Sequence, residues 1–189
     1  MTYREAIAAY VPRNEQEAVD QAAILRFIDD HPDVLKRTNR VAHLTSSAIV
    51  VNASMTKVLF AHHNLYQSWG WVGGHNDGES DLLKVALAEA EEETGLTGLV
   101  PVEPSIFMLD VIHVTNHIKH GQYVGDHLHL NVTYLLMGDE TQALRHKPDE
   151  NSAVQWFTFD DALNQASEAR MKPIYRKAFA AIQAIKNRP

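Results

Sequence analysis

Gly73-Gly74-His75-Asn76-Asp77-Gly78-Glu79-Ser80-Asp81-Leu82-Leu83-Lys84-Val85-Ala86-Leu87-Ala88-Glu89-Ala90-Glu91-Glu92-Glu93-Thr94-Gly95 is the stretch whose reading decides the fold. It joins a glycine turn, a helix start, an acidic cluster and a glycine stop. Leu82, Leu83, Ala86, Leu87 and Ala90 recur at helical spacing and predict a helix with one core face. Ser80 is the expected N-cap, and Gly95 suits the left-handed residue that ends such a helix. Glu89, Glu92 and Glu93 then stand at i, i+3 and i+4, so their carboxylates share one face. Like charges in that arrangement repel by ~0.2–0.5 kcal/mol per pair, and the nearest upstream base is Lys84. A hard divalent cation relieves the repulsion, because Mg2+ takes one or two carboxylates, waters and substrate phosphate oxygens. The alternative is a solvated acidic face on a surface helix. The flanking turn and stop weigh against it.

Outward from this segment the chain alternates short β-type runs with helical ones. Ala48 to Asn52 and Lys57 to His63 read as strands joined by a turn at Asn52-Ala53-Ser54. Trp69 to His75 is an aromatic strand leading into the glycine loop, with Trp69 and Trp71 placed to pack or to stack on a base. Ile106 to Val114 and His127 to Leu136 read as strands, and a charged loop from Asp139 to Asn151 leads to a strand around Trp156. Two helices close the chain, with Pro173 suited to a first turn. Before the strands, Glu15 to Asp30 predicts a helix facing the core with Val19, Ala23, Ile24, Phe27 and Ile28, and a short helical piece follows from Asp33 to Arg37. The fold class expected is α/β, a mixed β-sheet between helices. Residues 1–40 form an N-terminal helical extension and residues 41–189 the main domain. The extension is expected to pack on the core, with a substrate pocket wall or a homodimer interface as alternatives.

The 189 residues are 45% apolar, enough for one full-sized core. Seventeen basic against 24 acidic residues give a formal charge of −7, which argues against nucleic-acid duplexes but not against a small phosphorylated metabolite. Cysteine is absent, which removes thiolate ligands and thiol nucleophiles. The N-terminus lacks the apolar core of a signal peptide and no run approaches a membrane span, so a cytoplasmic location is expected.

The quoted segment resembles the Nudix box of the Nudix hydrolases, G-x(5)-E-x(7)-R-E-U-x-E-E-x-G-U with U aliphatic. Gly74, Glu89, Glu92, Glu93, Gly95 and Leu96 fall on that pattern without a gap. Two positions depart from it. Glu79 comes one residue early, with four residues between it and Gly74 and eight from it to Ala88, and Ala88 stands where the family has an arginine that orients the neighbouring glutamate. Lys84 does not replace it, since helical side chains lean toward the N-terminus. The resemblance implies a Nudix-type α/β/α sandwich and hydrolysis of a pyrophosphate bond in a nucleoside-diphosphate-linked or similar metabolite, using Mg2+ or Mn2+. It carries metal ligation onto Glu89, Glu92, Glu93 and the Gly73 carbonyl, while Glu79 is expected to hydrogen-bond within the loop. The catalytic residue expected is Glu92 or Glu89, with Glu150 and Asp126 as outside candidates for the base.

His113, His117, His120, His127 and His129 form a second constellation. In a strand, His127, His129, Asn131 and Thr133 share a face. That polar row reads as a substrate-binding wall, with His75 from the glycine loop, as a separate imidazole metal site, or as a solvated edge. His127, His129, Lys57 and Arg145 are the candidates to hold Glu89 in place of the absent arginine. Two other functions compete with hydrolysis. One is a catalytically weakened Nudix domain that senses a nucleotide metabolite, motivated by Ala88. The other is an isopentenyl-diphosphate-isomerase-like enzyme, disfavoured because that chemistry leans on a cysteine.

Overall fold

The computed structural model describes residues 1–119 and 121–187. In chain order these form α1 (Tyr3–Ala9), α2 (Glu15–Asp30), β1 (Ala42–Asn52), β2 (Lys57–His63), β3 (Ser68–Gly70), β4 (Val72–His75), α3 (Leu82–Thr94), β5 (Val100–Pro101), β6 (Met108–Val114), β7 (His117–Lys119), β8 (Gln122–Val124), β9 (His127–Gly138), β10 (Asn151–Thr158), α4 (Phe159–Gln165) and α5 (Lys172–Lys186). Eight of the ten described strands make one mixed sheet with the order β10-β2-β1-β9-β5, on which β3 pairs β2, β4 pairs β1 and β6 pairs β9, while β7 and β8 pair in a separate two-stranded sheet. With helices packed on it, this is the α/β class expected. Among the described residues no helix is long and apolar enough to cross a membrane.

The chain divides into two compact units that interleave in sequence. The first contains Met1–Ser47, Gly73–Ala86 and Pro104–Tyr134. Here β6 pairs antiparallel with the first half of β9, from Met108 opposite Thr133 to Val114 opposite His127. α1 starts on a capping box in which Thr2 Oγ1 accepts from Glu5 N and the Glu5 carboxylate accepts from Thr2 N. α2 starts on Asn14, whose Oδ1 accepts from Glu17 N at 2.9 Å.

α2 has the length expected, and its buried face holds Ile24 and Ile28 as expected but takes Glu17 in place of Val19 and Ala23. Val19 is 61% exposed and Ala23 is exposed, while Ile24 and Ile28 are buried together with Glu17. The reason is polar. Glu17 Oε2 accepts from Tyr10 Oη at 2.6 Å and Arg13 N at 2.8 Å. Asp20 Oδ2 accepts from Val111 N on β6, and Gln21 Nε2 donates to the carbonyls of Ile7 and Tyr10. These side chains satisfy backbone groups that the core would otherwise orphan, and hydrophobic periodicity does not register them. Asp33 to Arg37 is also different, forming successive turns closed by Val34 N–His31 O and Lys36 N–Asp33 O bonds instead of a helix.

The second unit contains Ala48–Val72, Leu87–Glu103 and Leu135–Pro189. β2 is its centre, antiparallel to β1, β3 and β10. α5 buries Tyr175, Ala178, Phe179 and Ile182, an i, i+3, i+4, i+7 stripe. Its rings pack on Phe60 of β2, with centroids 4.9 Å apart for Tyr175 and 6.3 Å for Phe179. Full burial of each such side chain stabilises by ~1.5–3 kcal/mol.

Candidate active site

α3 places the acidic cluster. Its cap is Asp81, whose Oδ1 accepts from Lys84 N at 3.0 Å, one residue later than the expected Ser80. Glu79 stays within the loop, as expected: it accepts from Asp81 N at 3.0 Å and pairs with Lys84 at 2.7 Å. The buried stripe of α3 runs through Leu82, Val85, Ala86, Ala90 and Glu93, while Leu83 and Leu87 are half-buried. Ala88 is exposed. Gly95 ends the helix with φ +73°, and a Cβ there would come within 2.8–3.0 Å of Arg145 Cβ and N.

The second unit brings three carboxylates together. One oxygen each from Glu89, Glu93 and Glu150 lies within 4.8 Å of the others. Glu93 is 1% exposed. Burial, then Glu93 and Glu150, drive the Glu89 carboxyl up to about 7, with Lys147 pulling the other way. Glu150 arrives from the loop between β9 and β10, and Asn151 fixes that loop to the helix. Asn151 is fully buried; its Nδ2 donates to Glu93 O at 3.2 Å and Oε2 at 3.4 Å, and its Oδ1 accepts from Lys147 N at 3.0 Å. Asn64 N donates to the Glu150 carbonyl at 2.9 Å, a second anchor from the end of β2.

Two further groups border the cluster. Lys147 Nζ lies 3.1 Å from Glu92 Oε2 and 3.2 Å from Glu150 Oε1. Burial opposes its charge, but the two carboxylates outweigh it and hold the Lys147 pKa above the ordinary lysine value. His63 donates Nε2–H to the Trp71 carbonyl at 2.7 Å, which leaves Nδ1 3.9 Å from Glu93 Oε2. Burial lowers the His63 pKa and favours the neutral ring, with its Nδ1 lone pair toward the carboxylate.

Of the residues expected from sequence, Glu89 and Glu93 are in the cluster and Glu150 joins them. Glu92 is turned onto Lys147, its side chain 60% exposed. Gly73 belongs to the first unit, where a Cβ would come within 2.6–2.7 Å of Ser47 and the Ser46 carbonyl. Asp126 also lies in that unit, held by Asn116 N at 2.6 Å. Lys57 pairs with Glu140 at 2.7 Å, and the Arg145 backbone N donates to Thr94 O. His75, His127 and His129 lie together in the first unit with His43, a residue the sequence did not single out. His120 lies outside the described residues. Lys147, Asn151 and His63 carried no sequence signal, since none shares a periodic face with the α3 glutamates.

The oxygen donors of Glu89, Glu93 and Glu150 fit a hard cation. Oxygens bound to one Mg2+ at ~2.1 Å lie ~3–4 Å apart, a span that three carboxylates in this arrangement reach by small side-chain shifts. Against this geometry, residues 42–179 match the family model for the NUDIX domain. The chain belongs to the Nudix family. It is a Nudix hydrolase, and its fold agrees with solved members. A NUDIX-family hydrolase from Clostridium perfringens is similar over 76% of this chain and 97% of that chain, at 19% identity and a TM-score of 0.55. The C. elegans Ap4A hydrolase in a binary complex shows 18% identity over 75% and 97% of the two chains, with a TM-score of 0.54. The E. coli dihydroneopterin triphosphate pyrophosphohydrolase shows 14% identity over 72% and 94%, with a TM-score of 0.56. No curated protein matches the chain.

Proposed function

We propose that this Nudix hydrolase is a Mg2+- or Mn2+-dependent pyrophosphohydrolase of a nucleoside-diphosphate-linked or similar small phosphorylated metabolite. The observation that carries the reading is the cluster of Glu89, Glu93 and Glu150, a set of crowded carboxylates whose repulsion a divalent cation offsets. Glu89 and Glu93 are its primary ligands, with Glu150 beside them and the Gly73 carbonyl and Glu92 completing the expected set. A bound cation supplies stabilisation of phosphoryl charge and an acidified water. Glu89 stands in the cluster to take the proton from the attacking water as general base. Glu92 is the second catalytic residue, and Lys147 holds it alongside Glu150. Residues 1–40 serve as an N-terminal extension and residues 41–189 as the hydrolase domain, which works in the cytoplasm.

A second reading, the weakened domain that senses a nucleotide metabolite, draws on the exposed Ala88 at the arginine position. The Lys147 ammonium beside the cluster favours the enzyme. The test is a panel of NDP-sugars, ADP-ribose, nucleoside triphosphates, Ap4A and dihydroneopterin triphosphate, the last two being substrates in the names of fold neighbours. At least one is expected to be split with Mg2+ or Mn2+ and not with chelator. Glu92→Gln is expected to lower the rate by ~10²-fold or more, the range of general acid–base catalysis. Glu91→Gln, whose carboxylate accepts from Gly98 N at 3.2 Å, should leave it within about twofold. Ligand-induced stabilisation without turnover of any panel member would favour the sensor.

A further inference from the structure

The first unit holds a cluster of imidazoles that includes His75, His127 and His129, expected from sequence as a substrate-binding wall. His43 on β1, His75 on β4 and His129 on β9 each offer a ring nitrogen, all within 4.8 Å of one another. The His43 ring centroid lies 5.0 Å from that of His75 and 5.1 Å from that of His129. His75 and His129 are 5.1 Å apart, and His127 lies 5.2 Å from His43.

The hydrogen bonds around these rings fix which nitrogens are available. His43 is 3% exposed and donates Nδ1–H to the Asn39 carbonyl at 2.9 Å, so its Nε2 carries the lone pair. That Nε2 is buried and has no hydrogen-bond partner among the described residues. Buried polar atoms are nearly always paired, and each exception needs a cause. His127 repeats the pattern, donating Nδ1–H to the Gly125 carbonyl at 2.9 Å and presenting Nε2 3.3 Å from His129 Nε2. A carbonyl on the outer ring nitrogen is how metal-bound imidazoles are oriented and made more basic.

Charge points the same way. Burial, and then the neighbouring charges, lower the His129 pKa to about 2, and burial lowers that of His43. These two rings are therefore neutral near pH 7, the form that binds metal and the form that does not attract a phosphate. The Arg37 guanidinium that bears on His129 is itself paired with Asp77.

We propose that His43, His75 and His129, with His127 as a fourth or outer partner, bind a borderline divalent cation of the Zn2+ class. Three imidazoles and one further donor match the tetrahedral preference of that ion. Nitrogens bound at ~2.0–2.1 Å with tetrahedral angles lie ~3.3–3.4 Å apart, close to the His127–His129 separation of 3.3 Å. The ligand type separates this site from the carboxylate cluster, since imidazole suits Zn2+, Cu2+ and Ni2+ while carboxylate suits Mg2+ and Mn2+. The ion would tie three strands of the first unit together.

The test uses the full chain freed of metal by chelation, titrated with ZnCl2 by calorimetry in excess Mg2+ and with CoCl2 by visible absorption. One equivalent of Zn2+ should bind despite the Mg2+, and Co2+ should give the intense absorption of a four-coordinate site. His75→Gln and His129→Gln should each weaken Zn2+ by at least the ~10–100-fold that loss of an outer-shell partner costs. His43→Gln should do the same; circular dichroism of each variant reports whether it is folded, and the two half-buried positions decide the matter if His43→Gln is not. Glu89→Gln with Glu93→Gln should leave Zn2+ binding within about threefold. Absence of Zn2+ binding in the folded wild-type chain would overturn the proposal. So would binding that survives the histidine changes and is lost with the glutamates, which would assign the ion to the carboxylates.

Discussion

Lys147 reaches Glu92 from a loop far along the chain, its Nζ 3.1 Å from Glu92 Oε2. Its other contact, Glu150 Oε1 at 3.2 Å, belongs to the carboxylate cluster. The helix position that holds arginine in the family is Ala88 here and is exposed. A positive charge thus stands beside the glutamates even though the helix does not supply it.

If Lys147 does the work of the absent arginine, Lys147→Met should lower kcat/KM at least tenfold. Ala88→Arg in the wild-type background should change the rate less than threefold, yet recover part of the loss in Lys147→Met. The salt bridge is half exposed, so it adds only ~0–1 kcal/mol to stability, and both variants should melt near the wild type. A tenfold rise from Ala88→Arg alone would instead mark a weakened enzyme.

Divalent metal should stabilise the fold. At a concentration near 100 times its dissociation constant the gain is ~2.7 kcal/mol, which for a chain of this length raises the melting temperature by roughly 5–10 °C. Calorimetry with and without millimolar Mg2+ or Mn2+ checks this, and Glu93→Gln should abolish the shift. An unchanged wild-type melt would count against a cation at Glu89, Glu93 and Glu150.

Glu89 gives the metal-free protein a defined pH response. Its folded pKa, about 7, lies above the ordinary 4.5, so the folded state holds the proton more tightly than the unfolded chain. Its contribution to stability is therefore fully present below about pH 4.5 and is lost as pH rises through about 7. Urea unfolding from pH 5 to 8 in chelator should show this decline, and Glu89→Gln should flatten it. Metal binding has the opposite dependence, because the ion displaces the proton, so affinity should climb through the same interval.

Asn151 is the residue that joins the loop to α3. Asn151→Ala removes the acceptor of the Lys147 N–H and one donor to the Glu93 carbonyl, a loss of ~1–3 kcal/mol for a buried group left unsatisfied. The melting temperature should fall by several degrees, and Mg2+ affinity should drop with it as Glu150 loses its anchor. Asn151→Asp keeps the acceptor for Lys147 N but sets a further carboxylate beside Glu93, so it should not recover the stability in chelator.

The sequence alone determined α3 and two carboxylates of the candidate site. The period of Leu82, Ala86 and Ala90 specified α3, Gly95 specified its end, and the spacing of Glu89 and Glu93 put two carboxylates on one side of it. Each of these follows from contacts within a turn or two of helix, which spacing encodes. What only the tertiary structure decided depends on partners distant in the chain. The face of α2 turned toward Glu17 because that carboxylate serves Tyr10 and Arg13, and no hydrophobic pattern reports such bonds. Glu150, Lys147 and Asn151 reached the α3 glutamates through a loop that reads as merely charged. His43 met His75 and His129 because three strands converge, and the Asn39 carbonyl then chose which of its nitrogens faces them.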